Sequence, residues 1–411
     1  MPDVDEALAT MSSCVSQPAR EAWGVWGKPK MEKVVGTRVV RDHSSDEHRP
    51  VNGLIIERMV YYIRFLKTPR FQQQKKSVFI SALICITTDL GDDFLAEDVD
   101  LVATWIQHSS QKVRYQAPLQ WQAGSRQLSI LLGPFSSNDV ARQTAVLKIQ
   151  LPSVDKDTLG DNTTPLVISG SSAPFGPQWE PAEKLIQRDL NITGNVRPLK
   201  IWEETGNSIA RHIWDAALAS IIFLEKVITG TEKSMPALSQ LMGPRSAPLQ
   251  VVELGAGCGI VGIALATMLS SCEVLLTDLP EVEDIVTRNI QEATPKASAS
   301  IRYQTLDWDN PPPKLCNRPI DLILVSDCTY NADSLPTLVS VLDRLVRTSP
   351  DALVLVALKR RHESEVVFFD LMRNVAFEPL QAAIELPASH EEVDQIELYC
   401  YRRTADQGDV S

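Results

Sequence analysis

The sequence predicts an α/β fold built on a mostly parallel sheet, and three observations carry the prediction. Leu249–Leu254, Glu273–Thr277, Asp321–Val325 and Ala352–Ala357 are short, near-continuous apolar runs rich in β-branched residues. Segments of helical periodicity, such as Val282–Ile290 and Leu335–Val346, lie between them, and buried strands alternating with helices describe a parallel sheet covered on both faces. The last two runs, near Leu380–Leu386 and Ile396–Tyr401, have no helix between them. Parallel neighbours need a crossover, so this pair is expected to close the sheet as an antiparallel hairpin.

The residues before 200 read differently. The first fifty are polar and end in Arg41-Asp-His-Ser-Ser-Asp-Glu-His-Arg-Pro50, so residues 1–50 are expected to form a flexible tail. Leu54, Ile55, Met59, Tyr62, Ile63 and Leu66 recur at helical spacing, and further helices are expected over Val78–Ile86 and about Glu97–His108. Gln127–Leu132, Leu147–Leu151 and Pro165–Ile168 read as short strands. Asp155–Thr164 and Gly170–Pro181 are rich in Gly, Pro, Ser and Asp and read as loops. Residues 51–195 are thus expected to form an α+β extension of unknown role, since no catalytic motif precedes residue 200. The motif-bearing domain spans 196–404 and leaves 405–411 as a tail. Residues 198–403 hold every strand the sheet requires, so that segment is expected to fold on its own.

Composition narrows the function. Of 411 residues 44% are hydrophobic and 22% charged, which excludes a disordered or fibrous chain. A net charge of −12 does not suit a phosphate backbone, so nucleic acid is not expected as a partner; a basic protein would be attracted instead. The seven cysteines are scattered and contain no Cys-x-x-Cys pair, so neither a disulfide framework nor a metal site is expected, and a reducing compartment fits. No signal-peptide pattern opens the chain, and the longest apolar stretch, around Val78–Ile86, is too short to cross a bilayer. A protein of the cytoplasm, or also of the nucleus, with no membrane partner is the expectation.

The chemistry gathers at one turn. Glu253-Leu-Gly-Ala-Gly-Cys-Gly-Ile-Val-Gly262 follows a strand and opens a helix, and its glycines let backbone approach a ligand closely. Gly257, Gly259 and Gly262 also satisfy the G-x-G-x-x-G pattern, so the turn alone admits either a nicotinamide dinucleotide or S-adenosylmethionine. Three features favour the second. Glu253 stands two positions before the first glycine of Gly255-x-Gly257-x-Gly259. Asp278 ends the next strand, where a carboxylate can accept from both ribose hydroxyls. The fourth strand ends in Ser326-Asp327, and a closing hairpin follows, neither of which a dinucleotide fold requires.

Glu253-Leu-Gly-Ala-Gly-Cys-Gly resembles motif I of the Rossmann-like, seven-strand class I methyltransferases. More narrowly, Ile213-Trp-Asp-Ala-Ala-Leu218, Leu306-Asp-Trp308 and Ser326-Asp-Cys-Thr-Tyr330 resemble one branch, the methyltransferase-like protein-lysine methyltransferases. That branch carries Trp-Asp-Ala-Ala before motif I and Asp-x-x-Tyr after strand four. The resemblance covers about residues 198–403, and it implies a seven-stranded, mostly parallel sheet with a C-terminal antiparallel hairpin. It implies S-adenosylmethionine as cofactor and a protein lysine as acceptor; known members act on elongation factors and chaperones. The substrate itself does not carry over, because the first 195 residues lie outside the match.

The resemblance also implies roles. Trp214, on a helix over Ile209–Val227, borders the cofactor's methionine end. Glu253 fixes the turn and reaches the cofactor's amino group, directly or through water, while Gly255, Ala256 and Gly257 pass their backbone along the ligand. Asp278 anchors the ribose, and Leu279, Trp308 and more weakly Asp307 meet the adenine. Ser326 contributes backbone. Asp327 and Tyr330 form the catalytic pair, the first orienting the incoming ammonium and the second accepting a hydrogen bond or walling the channel. No general base is evident, and His212 and His362 are not candidates. Asp215 reads as a helix-surface charge. Lys359-Arg-Arg-His362 reads either as a solvated loop or as a contact for an acidic patch on the substrate. Two alternatives stay open: a small-molecule N-methyltransferase on the same fold, and a catalytically silent scaffold that binds through its first half.

Overall fold

The computed structural model describes residues 60–141, 143–152, 166–176, 180–192, 197–206, 208–361, 365–385 and 396–404. The expected tails, the loop Asp155–Thr164, Leu54–Met59 and His362 lie outside the described residues. The first half forms strands β1 (Val60–Gln74), β2 (Ser77–Thr87), β3 (Val99–Gln107), β4 (Lys112–Trp121), β5 (Leu128–Phe135), β6 (Ala145–Gln150), β7 (Leu166–Ile168), β8 (Gly170–Ser172), β9 (Leu185–Leu190) and β10 (Leu199–Glu204). They make two sheets, ordered β5-β2-β1-β7 and β10-β9-β8-β6-β3-β4. The sheets share a core: the ring of Phe71 on β1 meets Trp105 on β3 with centroids 6.0 Å apart, and Phe175 at 5.1 Å.

Three expected helices are therefore strands. Leu54–Leu66, Val78–Ile86 and Glu97–His108 fall, where described, on β1, β2 and β3. For the start of β1 the reason is burial on both faces: Val60 to Phe65 are all buried, so that stretch shows no alternation of buried and exposed positions. A continuous apolar run cannot be told from a buried helix by periodicity. The β-branched and aromatic content of Val60-Tyr-Tyr-Ile63 and Val78-Phe-Ile80 was the available arbiter. Gly170–Ser172, inside an expected loop, is β8, whereas the expected strands at 127–132, 147–151 and 165–168 coincide with β5, β6 and β7. Among the described residues this half holds one four-residue helical turn, Ser137–Val140, so it is a β rather than an α+β structure.

The second half adds β11 (Leu249–Leu254), β12 (Ser271–Asp278), β13 (Ser298–Thr305), β14 (Leu322–Ser326), β15 (Leu353–Lys359), β16 (Phe377–Glu385) and β17 (Ile396–Arg403). Its main helices are α1 (Asp215–Thr229), α2 (Ile260–Met268), α3 (Glu283–Glu292), α4 (Leu335–Val346) and α5 (Val366–Asn374). The seven strands run β13-β12-β11-β14-β15-β17-β16, parallel through β15, with β17 antiparallel to both its neighbours. β13 lies at the sheet edge and alternates between exposed and half-buried positions, which is why it is absent from the apolar runs of the sequence. The helix expected from Ile209 starts later. A single 3₁₀ turn covers Ile209–Arg211, and Trp214 is the extended N-cap of α1 (φ −105°, ψ 152°) rather than a residue of a helix face. Among the described residues no helix is long and apolar enough to cross a membrane.

The described residues belong to one compact unit, and the division at 195/196 falls between two paired strands of it. β9 and β10 pair antiparallel from Leu190↔Leu199 to Leu185↔Glu204, so the first strand of the motif-bearing half belongs to the six-stranded sheet. Arg188 and Glu203 form an ion pair across this ladder at 2.5 Å, with both side chains fully buried. Arg188 Nη1 also donates to the Ile63 carbonyl of β1 at 2.7 Å. β10 then docks on α3. Trp202 N–H donates to Asn289 Oδ1 at 2.8 Å, and Asn289 Nδ2 donates to the carbonyls of Trp202 and Cys258, each at 2.9 Å. The glycine turn is thereby tied to the β sheets before it.

Candidate active site

Strand order reverses between β11 and β14, and in open parallel sheets the crevice at the strands' carboxyl ends at such a point takes the ligand. A cavity of about 470 Å³ opens there. Trp214, Glu253, Gly255, Ala256, Gly257, Asp278, Leu279, Asp307, Trp308, Ser326, Asp327 and Tyr330 all line it. Each of these twelve candidate site residues thus reaches one space.

The glycine turn is built for close approach. Gly255 and Gly257 both have positive φ (+63° and +53°), a region that costs other residues strain. A Cβ on Gly255 would stand 2.5 Å from Cys328 Sγ, and one on Gly257 would stand 2.8 Å from the Ala210 carbonyl. The turn is therefore pressed between the loop after β14 and the segment leading to α1. Asp278 holds it from the next strand: its Oδ2 accepts from Gly257 N–H and its Oδ1 from Leu279 N–H, each at 2.7 Å. Burial raises its carboxyl above the ordinary range, against the pull of these two donors. Each oxygen keeps a further lone pair for a ligand. Glu253 Oε2 accepts from Gly262 N–H at 2.7 Å and so clamps the start of α2. Burial, with the Asp278 charge adding, pushes Glu253 up to about 8, although the Gly262 N–H pulls the other way.

Leu279 is 41% exposed, and Trp308 packs its ring beside Gly255. Asp307 Oδ1 accepts from Asp309 N–H at 3.0 Å. Ser326 Oγ is buried and has no hydrogen-bond partner among the described residues. An unmet hydroxyl, a glycine cradle that a Cβ would fill, a carboxylate with free lone pairs and two apolar walls together fit S-adenosylmethionine.

Asp327 is held by the protein itself. It has φ +56°, rare for a non-glycine residue, and its side chain is 3% exposed. Arg361 grips it with two parallel bonds, Nη1 to Oδ1 at 2.8 Å and Nη2 to Oδ2 at 2.7 Å. This carboxylate of the cavity lining is thus half of a bidentate pair. Tyr330, 57% exposed, stands on the same loop.

Arg361 belongs to the basic run that the sequence left between a solvated loop and a substrate contact. Neither holds for Lys359 and Arg361, which turn inward; Arg360 pairs with Glu397 at 2.7 Å. Lys359 Nζ lies 3.2 Å from Asp215 and 3.5 Å from Asp89. Asp215 is not a surface charge either, because it is buried and accepts from the Tyr62 hydroxyl at 2.8 Å. Burial, with the Asp89 charge adding, pushes its carboxyl up to about 7, while Lys359 pulls it down. Burial also works against ionised Asp89, but Lys359 and Arg361 outweigh it and hold that carboxyl below the ordinary range. His212 also lines the cavity, with Nδ1 3.4 Å from Glu203 and Nε2 3.1 Å from the Gly206 carbonyl. A basic pair at the end of the fifth strand was the one sequence signal for this network; nothing in the sequence pointed to Asp89.

An α/β sheet carrying this glycine turn, acidic strand end and cavity at its switch point defines a class I S-adenosylmethionine-dependent methyltransferase. Residues 194–375 match the family described as lysine methyltransferase. The protein N-lysine methyltransferase METTL21A of Danio rerio is 30% identical over 205 residues, 49% of this chain and 84% of that protein. The protein-lysine N-methyltransferase EFM6 of Saccharomyces cerevisiae is 27% identical over 209 residues, 47% of this chain and 82% of that protein. A UPF0665 family protein of Schizosaccharomyces pombe is 26% identical over 312 residues, 75% of this chain and 91% of that protein, so its likeness reaches into the β half. The chain belongs to the lysine methyltransferase family, and it is an enzyme whose methyl donor is S-adenosylmethionine.

Proposed function

We propose that this enzyme methylates a lysine side chain of a protein substrate, of the elongation-factor or chaperone type, that enters past Tyr330 over the Asp327–Arg361 pair. The observation that carries the reading is the bidentate Asp327–Arg361 pair, whose Asp327 lines the cavity on the same loop as the exposed phenol of Tyr330. Glu253, the Gly255–Gly257 backbone, Asp278, Leu279, Asp307, Trp308 and Ser326 hold the cofactor; Trp214 and Tyr330 narrow the opening. When bound, the cofactor supplies an electrophilic methyl group on a sulfonium.

The protein's part is alignment and desolvation. The acceptor must approach in line with the bond that breaks, and holding that geometry can supply most of the acceleration. A free lysine has a pKa of about 10.4, and a channel that excludes water lowers it by disfavouring the ammonium. The Arg361 guanidinium lies 5.4 Å over the Trp214 ring, so one cation ties the Asp327 loop and the α1 cap together. The 51–195 segment is assigned to support of this site, and the working location is the cytoplasm or the nucleus, without nucleic-acid or membrane partners.

The test compares Asp327→Asn and Tyr330→Phe with wild type. Asn tolerates the left-handed backbone but removes the charge. Transfer of label from S-adenosylmethionine to proteins of a cell extract should fall by about a hundredfold. Affinity for S-adenosylhomocysteine, measured by calorimetry, should stay within about twofold, because its anchors are elsewhere. A parallel loss of cofactor binding and activity would overturn the division of labour.

A further inference from the structure

We propose that Asp89, in the turn after β2 of the first half, is a positioning residue of the transfer site and acts through Arg361 on Asp327. The inference rests on the assignment of Asp327 to the acceptor side of the cavity. Arg361 Nη2 is shared: it donates to Asp327 Oδ2 at 2.7 Å and to Asp89 Oδ2 at 3.1 Å. Asp89 has a fully buried side chain and lies outside the cavity lining, so it touches neither cofactor nor acceptor.

Asp89 is itself held from several sides. Its Oδ1 accepts from Leu90 N–H at 2.9 Å, and its carbonyl accepts from Arg64 Nη2 at 2.7 Å. Its Oδ2 also accepts from Asp215 N–H at 3.4 Å, the first residue of α1, and Lys359 Nζ lies 3.5 Å from Oδ1. Three carboxyls (Asp89, Asp215 and Asp327) face two cations, Lys359 and Arg361.

The arrangement has a consequence for the reaction. A non-glycine residue at positive φ persists only where its surroundings over-determine it, and Asp327 is such a residue. Its backbone N–H donates to the Ala357 carbonyl at 2.8 Å, and Lys359 N–H lies 3.5 Å from its Oδ1, but its short side-chain bonds are the two from Arg361, which the charge of Asp89 holds in turn. Without that charge the guanidinium keeps one carboxylate anchor and can swing from the Trp214 ring, carrying Asp327 with it. A displacement of about 1 Å at an aligned site can cost about a hundredfold in rate. The first half of the chain therefore completes the active site; it is more than an appendage.

The experiment uses the full chain. Asp89→Asn keeps the shape and the Leu90 contact but removes the charge; Arg361→Lys and the double variant complete a cycle. Label transfer to extract proteins at saturating S-adenosylmethionine should fall about tenfold or more for Asp89→Asn, with S-adenosylhomocysteine affinity within about twofold. In the Arg361→Lys background the same substitution should change the rate by less than about twofold, since groups acting as one unit are not additive. A wild-type rate for Asp89→Asn, fully additive effects, or loss of cofactor affinity in parallel with rate overturns the inference. If Asp89→Asn does not fold, Asp89→Ser, smaller and still able to accept from Leu90, carries the same test. Asp327→Asn runs alongside: a full rate there removes the acceptor-side assignment, whereas loss there with a normal Asp89→Asn removes only the role of Asp89.

Discussion

Binding of S-adenosylhomocysteine should expel a proton from Glu253, and calorimetry can count it. Glu253 is buried, and its carboxyl is pushed up to about 8 by that burial and by Asp278. At pH 7 a group of that pKa is protonated in about nine molecules of ten. An ammonium set beside it favours the ionised form, so binding of the cofactor, whose amino group is assigned above to Glu253, should release about 0.9 proton from that carboxyl at pH 7. Ionising the acid costs about 1.4 kcal/mol for each pH unit below its pKa. Affinity should therefore rise about 50-fold between pH 6 and pH 8 and flatten above. The assay titrates S-adenosylhomocysteine at pH 7 in phosphate and in Tris, whose ionisation enthalpies differ; the observed enthalpies should differ by that of the released proton. Glu253→Gln keeps an oxygen for the Gly262 N–H and should abolish both effects. The same group shapes stability. Its folded pKa lies above the ordinary 4.5, so the native state holds the proton more tightly than the unfolded chain. Its contribution is present at low pH and lost as pH rises toward about 8, and Glu253→Gln should flatten that slope. Equal enthalpies in the two buffers, with an affinity independent of pH, would refute the reasoning.

Two further outcomes are expected. Asp278→Ala removes the acceptor for Gly257 and Leu279 N–H and the ribose anchor, and a hydrogen bond to a charged group contributes about 1.5–3 kcal/mol. Calorimetry should show S-adenosylhomocysteine affinity at least about tenfold weaker, with an unchanged dissociation constant counting against the role. A fragment of residues 198–403, which the motifs alone expect to fold, loses Arg188, Tyr62 and Asp89 and leaves Glu203, Asp215 and Lys359 without those partners. Removing one partner of a buried ion pair costs about 3–5 kcal/mol. The fragment should accordingly be insoluble or unfold without cooperativity in thermal circular dichroism, and a sharp transition with cofactor binding would show the second half to be independent.

What the sequence determined by itself is what depends on neighbours along the chain. Glu253 to Gly262 joins a strand to a helix, Asp278 ends the next strand, and Asp327 stands three residues before Tyr330; order and spacing alone sufficed to gather these residues at one edge of a sheet. The first half was less legible. The start of β1 is buried on both faces, so its apolar run carried no period that separates strand from helix. Charge was less legible still. Asp215 looked like a helix-surface carboxylate, and the basic run at Lys359 like a solvated loop, because a charged side chain reads the same in sequence whether water or an ion partner surrounds it. Only the tertiary structure decided between these, by bringing Asp89 to Arg361 across 272 residues and Tyr62 to Asp215 across 153. A buried charge is tolerable only beside its counter-charge, and which residues meet that condition is settled by how the two halves pack together, not by any local pattern.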